Sequence, residues 1–421
     1  MATHDDIVIT GIGVVSPVGV GREAFWGALV SGTSGIRPIT GFDASGLAVR
    51  FGGQVVDFDP KLFVRPRKSL KVMSRDIQLG FAAADLAVAD AGLVPGGVEP
   101  TRFGVVFGGD MIYADIEDLE STYRLATAGG AFDYHRWAEA IQQEVHPLWL
   151  LKHLPNMTAS HVAIAHDARG PNNTIVLGDV SGLLAVAEAA SVIRRGWADV
   201  MIAGGTGCRL HPTAMVARGA AQLSHRADDF ESASRPFDLE RDGLVNGEGA
   251  GAVILESREH ATRRGGVIIG RILATASRCE PRARRDGVSG AALRQVIRAA
   301  REAAGLEVRD VGHVNAHGLS TIEMDRVEAG AIAAELGDTP VTAPKSSFGH
   351  LGAGGGVVEM LASVFGLAAG VVPPTRSYRT PDPQCPIAVV HGGPLAGRPA
   401  TAISVNACTT GQAVAVALAA E

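Results

Sequence analysis

Short apolar runs, several of them closed by glycine, alternate along this chain with segments of helical periodicity. Such alternation is typical of buried strands covered by helices, and it predicts an α/β fold. Strands are predicted near residues 6–13, 103–108, 174–178, 199–204, 249–255, 267–275, 312–315, 340–343, 387–391 and 401–405. Helices are predicted over residues 75–92, 181–195, 257–263, 289–304, 323–335 and 355–369, where apolar residues recur every three or four positions.

The predicted strands form two sets of similar number, as an old duplication of one α/β unit would produce. A chain of 421 residues is long enough for two large halves. We therefore expect an N-terminal half over residues 1–255 and a C-terminal half over residues 256–421. Residues 110–160 lack the alternation of strand and helix, and they predict a mostly helical insertion in the first half.

The composition excludes several classes of protein. With 38 Lys and Arg against 44 Asp and Glu, the net charge of −6 lacks the positive excess of a general nucleic-acid binder. The four cysteines, at positions 208, 279, 385 and 408, are too scattered for a disulfide framework or a zinc site, so no metal is expected. No apolar stretch approaches the ~18 residues that a membrane helix needs. We expect a cytoplasmic protein that binds neither nucleic acid nor membrane.

Five motifs occur in order along the chain. They are Val8-Ile9-Thr10-Gly11-Ile12-Gly13-Val14-Val15-Ser16-Pro17; Arg235-Pro236-Phe237-Asp238 with Arg241-Asp242-Gly243; Gly247-Glu248-Gly249-Ala250-Gly251; Asn315-Ala316-His317-Gly318 with Asp325 and Glu328; and Lys345-Ser346-Ser347-Phe348-Gly349-His350-Leu351-Gly352-Ala353-Gly354-Gly355. In this order, and over nearly the whole chain, they resemble the motifs of β-ketoacyl-acyl-carrier-protein synthases, the ketosynthases.

This resemblance implies a thiolase-like fold, in which two similar βαβαβ halves stack in five layers, α-β-α-β-α. It also implies a dimer, made either with a second copy or with a ketosynthase homologue. The implied partner is an acyl carrier protein, whose phosphopantetheine arm carries the substrate, and no other cofactor is expected.

The chain departs from the family at the nucleophile. In active ketosynthases, the strand after an Arg-Gly-Pro sequence ends at a cysteine on the first turn of a buried helix. Here Gly170-Pro171 leads through Thr174-Ile175-Val176-Leu177-Gly178 to Asp179, so aspartate occupies the cysteine position. Capture of an acyl chain as a thioester therefore loses its nucleophile.

The residues that the family uses to stabilise the enolate of a decarboxylated malonyl group are present. The resemblance implies this role for His317 and His350, while Lys345, paired with Glu359, orders the second histidine. An enolate oxygen needs strong donors in a dry pocket, and two fixed imidazole N–H groups supply them. Two interpretations of Asp179 are open. It caps the following helix, in competition with Ser181, or it takes part in a modified active site. An ionised Asp179 in a closed pocket needs partners, for which His317, His350 and Lys345 are available.

The acyl gate also differs. Where ketosynthases have a Gly-Phe-Gly-Gly stretch, whose Phe gates the acyl pocket, this chain has Cys408-Thr409-Thr410-Gly411. Leu319 replaces a threonine that often lies near the pantetheine arm, whereas Thr321 remains. Cys408 is a candidate surrogate nucleophile, although a buried, unreactive thiol is the commoner fate of such a residue.

Two basic clusters are candidate docking sites for an acidic carrier protein, and solvation alone explains them equally well. The first comprises Arg65, Arg67, Lys68 and Lys71, with Arg75 nearby, and the second comprises Arg282, Arg284 and Arg285.

Three functions fit this sequence. The favoured one is decarboxylation of a malonyl-carrier protein without cysteine-based condensation, in fatty acid or polyketide biosynthesis. The alternative is a non-catalytic partner subunit that resembles the chain-length factors of active ketosynthases. Carbon–carbon bond formation without covalent capture is the third.

Overall fold

The core of the protein is a mixed β-sheet with strands from both halves of the chain. The computed structural model describes residues 6–281, 287–398 and 400–421. The strands are β1 (Ile7–Ser16), β2 (Gly19–Val20), β3 (Ile36–Pro38), β4 (Phe51–Gly53), β5 (Phe103–Gly108), β6 (Asn172–Ile175), β7 (Val200–Cys208), β8 (Glu248–Ser257), β9 (Gly270–Cys279), β10 (His313–Asn315), β11 (Pro340–Thr342), β12 (Val371–Val372), β13 (Ala388–Val389), β14 (Leu395–Ala396), β15 (Thr401–Ala407) and β16 (Gln412–Ala420).

Helices cover both faces of this sheet. They are α1 (Arg22–Ser31), α2 (Arg75–Asp90), α3 (Ile116–Ala126), α4 (Tyr134–Glu144), α5 (Met157–Ala165), α6 (Ser181–Arg194), α7 (Pro212–Arg218), α8 (Arg258–Arg263), α9 (Ala291–Ala303), α10 (Ile322–Leu336), α11 (Lys345–Phe348) and α12 (Gly355–Ala369). Helices α3 and α4 lie in the segment 110–160 and α5 begins in it, so the segment is mostly helical; that it is an insertion stays a prediction.

The two halves of the chain repeat one strand order. It is β1-β8-β7-β5-β6 in the first half and β9-β16-β15-β10-β11 in the second. In each set the first two pairings are antiparallel and the last two are parallel. Strands β1 and β9 join the sets through an antiparallel pairing of Ile7–Ile9 with Gly270–Ile272. This repeat is what a duplicated unit produces, and the exact boundary between the halves stays a prediction.

The helices and strands form the predicted five layers. Helices α2 and α5 pack on the outer face of the first strand set, and α9, with α10 beside it, covers the second. Between the two sets lie α6 and α12, each of which contacts strands of both. Their buried side chains, such as Leu183, Val186, Val357 and Leu361, pack with Val253 of β8 and Val416 of β16 into the central core.

Helix α12 corrects one expectation from the sequence. Residues Gly352–Ala369 are long and apolar enough to cross a membrane by length and composition, although no such stretch was expected. Of this segment, 89% is buried inside the protein, because it fills the layer between the two strand sets. It is the core helix of this fold.

One strand prediction was wrong in its bounds, and one long strand was not predicted. The strand predicted near 174–178 is β6, which ends at Ile175, because the chain then turns through Gly178, whose φ of 61° is left-handed. Val176 and Leu177 follow the strand and are 48% and 44% exposed. Strand β16 was not predicted, since its run of Ala residues has low strand propensity, yet it pairs with both β15 and β9.

Candidate active site

Asp179 lies at the start of the buried helix α6, as the sequence predicted. A single turn of 3-10 helix, Gly178–Val180, joins β6 to α6 and holds Asp179 with 9% of its surface exposed. Ser181 stabilises this turn, because its hydroxyl accepts the Leu177 N–H and donates to the Gly178 carbonyl. Among the described residues, the Asp179 carboxylate makes no capping hydrogen bond, so the capping interpretation is wrong.

Three side chains converge on the Asp179 carboxylate. Arg209 Nη2 donates to Oδ1 at 2.6 Å, and His350 Nε2 lies 3.2 Å from the same oxygen. His317 Nε2 faces Oδ2 at 3.8 Å. The sequence predicted both histidines as partners, but it also offered Lys345, whose amine is instead bound to His317 and Glu359. The closest partner, Arg209, was not predicted.

Asp179 is ionised in this environment. Burial alone would raise the pKa of its carboxyl group, but His350 and Arg209 outweigh burial and hold the pKa well below its ordinary value. A buried carboxylate is tolerated because a guanidinium neutralises it and hydrogen bonds satisfy its oxygens.

Lys345 and Glu359 orient His317. Lys345 Nζ donates to His317 Nδ1 at 2.9 Å and to the His317 carbonyl at 2.8 Å, and it also contacts the Glu359 carboxylate. The second Glu359 oxygen accepts from Asn406 Nδ2 at 2.9 Å. The resemblance assigned this lysine to the second histidine, His350, and the structure corrects that assignment. Because Nδ1 of His317 accepts, its proton is on Nε2, which faces Asp179.

Backbone contacts fix the two histidine segments. His317 follows β10, where the N–H groups of His317 and Gly318 donate to the two Glu328 oxygens at 2.6 and 2.8 Å. His350 follows α11, and its N–H donates to the Val245 carbonyl at 2.7 Å. The two rings are nearly perpendicular, with centroids 6.0 Å apart.

Both imidazoles are neutral near pH 7. Burial, followed by the charge of Arg209, lowers the pKa of His350 to about 4. Burial, followed by the charge of Lys345, lowers the pKa of His317 well below its ordinary value. Since a carboxylate only accepts, His350 Nε2 carries the proton that faces Asp179. The site thus holds two neutral N–H donors that face the two oxygens of one carboxylate.

Asp179 and His350 open onto a cavity of about 470 Å³, whose other lining residues include Arg209, Arg218, Leu319 and Thr410. Thr321 lines a neighbouring cavity of about 850 Å³, and Gln222 and Thr409 line both. The predicted gate and pantetheine residues therefore border two adjoining spaces beside Asp179.

Cys408 lines the smaller cavity but is not activated. Its thiol is 7% exposed and donates to the Leu177 carbonyl at 3.1 Å. Burial, followed by the nearby Asp179 charge, raises its pKa to about 11. A thiol is a poor nucleophile, so the geometry does not support Cys408 as a surrogate.

The first basic cluster is on the surface. Arg65, Arg67, Lys68 and Lys71 are all exposed, on and beside a 3-10 turn that spans Arg67–Val72. Arg75 is not part of this surface, because it forms an ion pair with the buried Glu248 at 2.8 Å. The second cluster, Arg282, Arg284 and Arg285, lies outside the described residues. Within the described ranges, no group of three or more His, Cys, Asp or Glu is arranged to hold a metal ion.

Three charged residues of the cavity were missed by the sequence analysis. Arg209 directly follows β7, and its Nη2 lies 3.6 Å from the Asp110 carboxylate as well as 2.6 Å from Asp179. Arg218, the last residue of α7, donates to Asp110 at 3.0 Å. The position of Arg209 after a glycine-rich strand was a usable signal, since α/β folds carry functional side chains at strand ends.

Comparison with known proteins decides the family. Residues 4–261 match the model of the beta-ketoacyl synthase N-terminal domain, and residues 269–379 match the model of its C-terminal domain. The chain belongs to the β-ketoacyl synthase family. Its fold is accordingly the thiolase-like fold of ketosynthases.

Individual members of the β-ketoacyl synthase family match over nearly their whole length. A putative polyketide beta-ketoacyl synthase 1 from Streptomyces cyaneus is 38% identical over 402 residues, which are 93% of this chain and 92% of that protein. The 3-oxoacyl-[acyl-carrier-protein] synthase 2 of Synechocystis sp. is 36% identical over 392 residues, 92% of this chain and 91% of its own. The solved structure of the ishigamide ketosynthase/chain length factor superposes with a TM-score of 0.87 at 27% identity, over 99% of both chains.

Proposed function

We propose that this β-ketoacyl synthase family member acts on acyl carrier protein in fatty acid or polyketide biosynthesis. It removes carbon dioxide from a malonyl-carrier protein and does not condense acyl chains through a cysteine. The observation that carries the proposal is the convergence of two neutral imidazole N–H groups, on His317 and His350, on one buried carboxylate beside the cavity.

The chemistry needs those two donors. When the bond between the malonyl α-carbon and its carboxylate breaks, the electron pair moves to the thioester oxygen as an enolate and carbon dioxide leaves. Two N–H donors aimed at that oxygen lower the barrier, since they are already oriented when its charge develops. A proton from water then converts the enolate into an acetyl group. In the free protein, Asp179 holds His350 in position, and the substrate oxygen replaces Asp179 as the acceptor of the His350 N–H.

Neither candidate nucleophile at this cavity, Asp179 or Cys408, is free to take part in condensation. Asp179 is bound by Arg209, and the Cys408 thiol is protonated and donates to the backbone. Neither group is activated to attack a thioester, because the carboxylate is held by an ion pair and the thiolate, not the thiol, is the nucleophilic form of cysteine.

The deciding experiment follows the carrier itself. The pure protein is incubated with malonyl-carrier protein, and intact mass spectrometry tracks the carrier. Conversion to acetyl-carrier at a rate above the uncatalysed control supports the proposal. A carrier that stays malonylated, with the protein folded and in excess, contradicts it.

The alternative is a partner subunit that resembles a chain-length factor. In its favour, the Asp179 carboxylate already engages His350 at 3.2 Å and lies 3.8 Å from His317, so it stands where the substrate oxygen would have to bind. In this function the protein turns over no malonyl-carrier alone and co-purifies with a cysteine-bearing homologue. The same mass assay, repeated with such a homologue, separates the two functions.

Carrier docking is proposed at Arg65, Arg67, Lys68 and Lys71. These cations are exposed, and carrier proteins are acidic, so attraction over the surface speeds their encounter. Replacement of all four by Gln should slow association with the carrier protein at low salt. Replacement of four other exposed Arg or Lys residues by Gln should not.

A further inference from the structure

The cavity beside Asp179 has charged side chains in a lining that also includes Leu177, Leu244 and Leu319. Arg209, Arg218 and Asp110 lie on one side of it, beside Asp179 and His350. Asp110 joins the two arginines, since it lies 3.0 Å from Arg218 Nη2 and 3.6 Å from Arg209 Nη2. This charged wall was not expected from the resemblance, which implied a gated pocket for an acyl chain.

The wall carries more donors than its own carboxylates use. A guanidinium has five N–H donors. Among the described residues, Arg209 contacts Asp179 and Asp110 through Nη2, and its buried Nε has no hydrogen-bond partner. Arg218 holds Asp110 through Nη2, its side chain is 30% exposed, and it is one of the residues that line the cavity. One Asp110 oxygen also accepts the Met111 N–H, so this carboxylate is already well supplied with donors.

We propose that this cavity selects short acyl groups whose far end carries a carboxylate, and that Arg218 is the residue that recognises it. The inference deepens the proposed function and rests on it only for the use of the cavity as the acyl site. A guanidinium and a carboxylate form two parallel charge-assisted hydrogen bonds, which a methyl end cannot replace.

Alkyl chains are disfavoured by the same wall. An alkyl chain that enters must strip water from the exposed part of the Arg218 side chain without offering its remaining N–H groups an acceptor, and burial of a polar group without a partner is unfavourable. A carboxylate-ended acyl group avoids this penalty because it supplies the missing acceptor. Loss of carbon dioxide from a malonyl group removes that acceptor, so the acetyl product is held more weakly than the substrate.

The test measures by calorimetry how tightly the whole protein binds a series of non-hydrolysable acyl-pantetheine amides. Succinyl and pentanoyl amides have similar length and differ in the carboxylate, and the octanoyl amide adds chain length. We expect the succinyl amide to bind at least about tenfold more tightly than the pentanoyl amide. Equal or tighter binding of the pentanoyl or octanoyl amide overturns the inference, as does the absence of binding by all three.

Variants assign the preference to Arg218. In R218L the preference for the succinyl amide should disappear, whereas R309L, which removes an arginine that is 86% exposed, should keep it. R218K keeps the charge without the planar fork and should retain part of the preference, which provides a test if R218L does not fold. A full preference in folded R218L overturns the role of Arg218.

The two proposals fail separately. A succinyl preference without conversion of malonyl-carrier contradicts decarboxylation and leaves the inference standing. Conversion of malonyl-carrier by a protein that prefers the octanoyl amide supports decarboxylation and overturns the inference about the cavity.

Discussion

Arg209 Nη2 lies 2.6 Å from Asp179 Oδ1, and both side chains are 12% exposed. This ion pair occupies the place where the resemblance puts a nucleophilic cysteine. It explains how a carboxylate is kept ionised beside two neutral histidines, because the guanidinium supplies the positive charge that neither ring carries.

Removal of Arg209 alone should destabilise the protein strongly. R209L leaves the Asp179 charge buried without its main partner, so we expect the free energy of unfolding to fall by about 3–5 kcal/mol. The double change R209L with Asp179→Asn should recover most of that loss, because no uncompensated charge remains. Urea unfolding of the four proteins in this cycle measures the coupling. An additive result would show that the two residues do not interact.

His317 and His350 should each be essential for the proposed decarboxylation. His317→Ala or His350→Ala removes one of two donors to the enolate, which costs about 3–4 kcal/mol, or a hundredfold to a thousandfold in rate. The rate of acetyl-carrier formation measures this. His225→Ala, at an exposed position outside the cavity, is the control and should keep the full rate. A loss below tenfold in both active-site variants would contradict the proposed role.

A restored thiol should not restore condensation. Asp179→Cys places a thiol at the start of α6, where it can become acylated by an acyl-carrier. Thr410 and Leu319 still border the cavity in place of the family's usual residues, so the chain and its pantetheine arm remain poorly held. Intact mass should detect acylated protein without an elongated product. Full condensing turnover by this single variant would show that the altered gate residues do not prevent condensation.

The ring of His350 should titrate far below an ordinary histidine. Its pKa is lowered from 6.5 to about 4 by burial and by Arg209, so an NMR titration should find no inflection near pH 6.5. Between these two values the unfolded chain binds a proton that the folded protein does not. The contribution of His350 to stability is therefore complete above pH 6.5 and declines as the pH falls towards 4, by up to about 1.4 kcal/mol per pH unit.

Comparison with His350→Gln isolates that contribution from other titrating groups. The stability advantage of the unmodified protein over the variant should shrink between pH 7 and pH 4. A constant difference across this range would mean that His350 titrates alike in the folded and unfolded states.

The outer edge of β6 should form a dimer contact. Within the described residues, β6 pairs with β5 on one side only, and the exposed apolar Val176 follows it. An unpaired strand edge next to an exposed apolar residue favours pairing with a second chain. Sedimentation velocity should find a dimer at micromolar concentration, which Val176→Glu weakens. Val267→Glu, at another exposed apolar position, is the control, and a stable monomer of the unmodified chain would overturn the prediction.

The sequence by itself determined most of the architecture. Strands such as β5 and helices such as α6 and α12 were predicted within one or two residues, because hydrophobic periodicity is a local signal. The motifs around His317, His350 and Lys345 were recognisable for the same reason, since each is short and continuous.

Only the tertiary structure decided what surrounds Asp179. Arg209, Asp110 and Arg218 lie 30 to 108 positions from their ion-pair partners in the sequence, and the partners meet where several strand ends and loops converge on the cavity. The same applies to Lys345, which orients His317 instead of His350, because a side chain's partner depends on which segments fold against it. Local periodicity contains no information about such pairs, whereas burial in a shared pocket makes them obligatory, because a charge without a partner is too costly there.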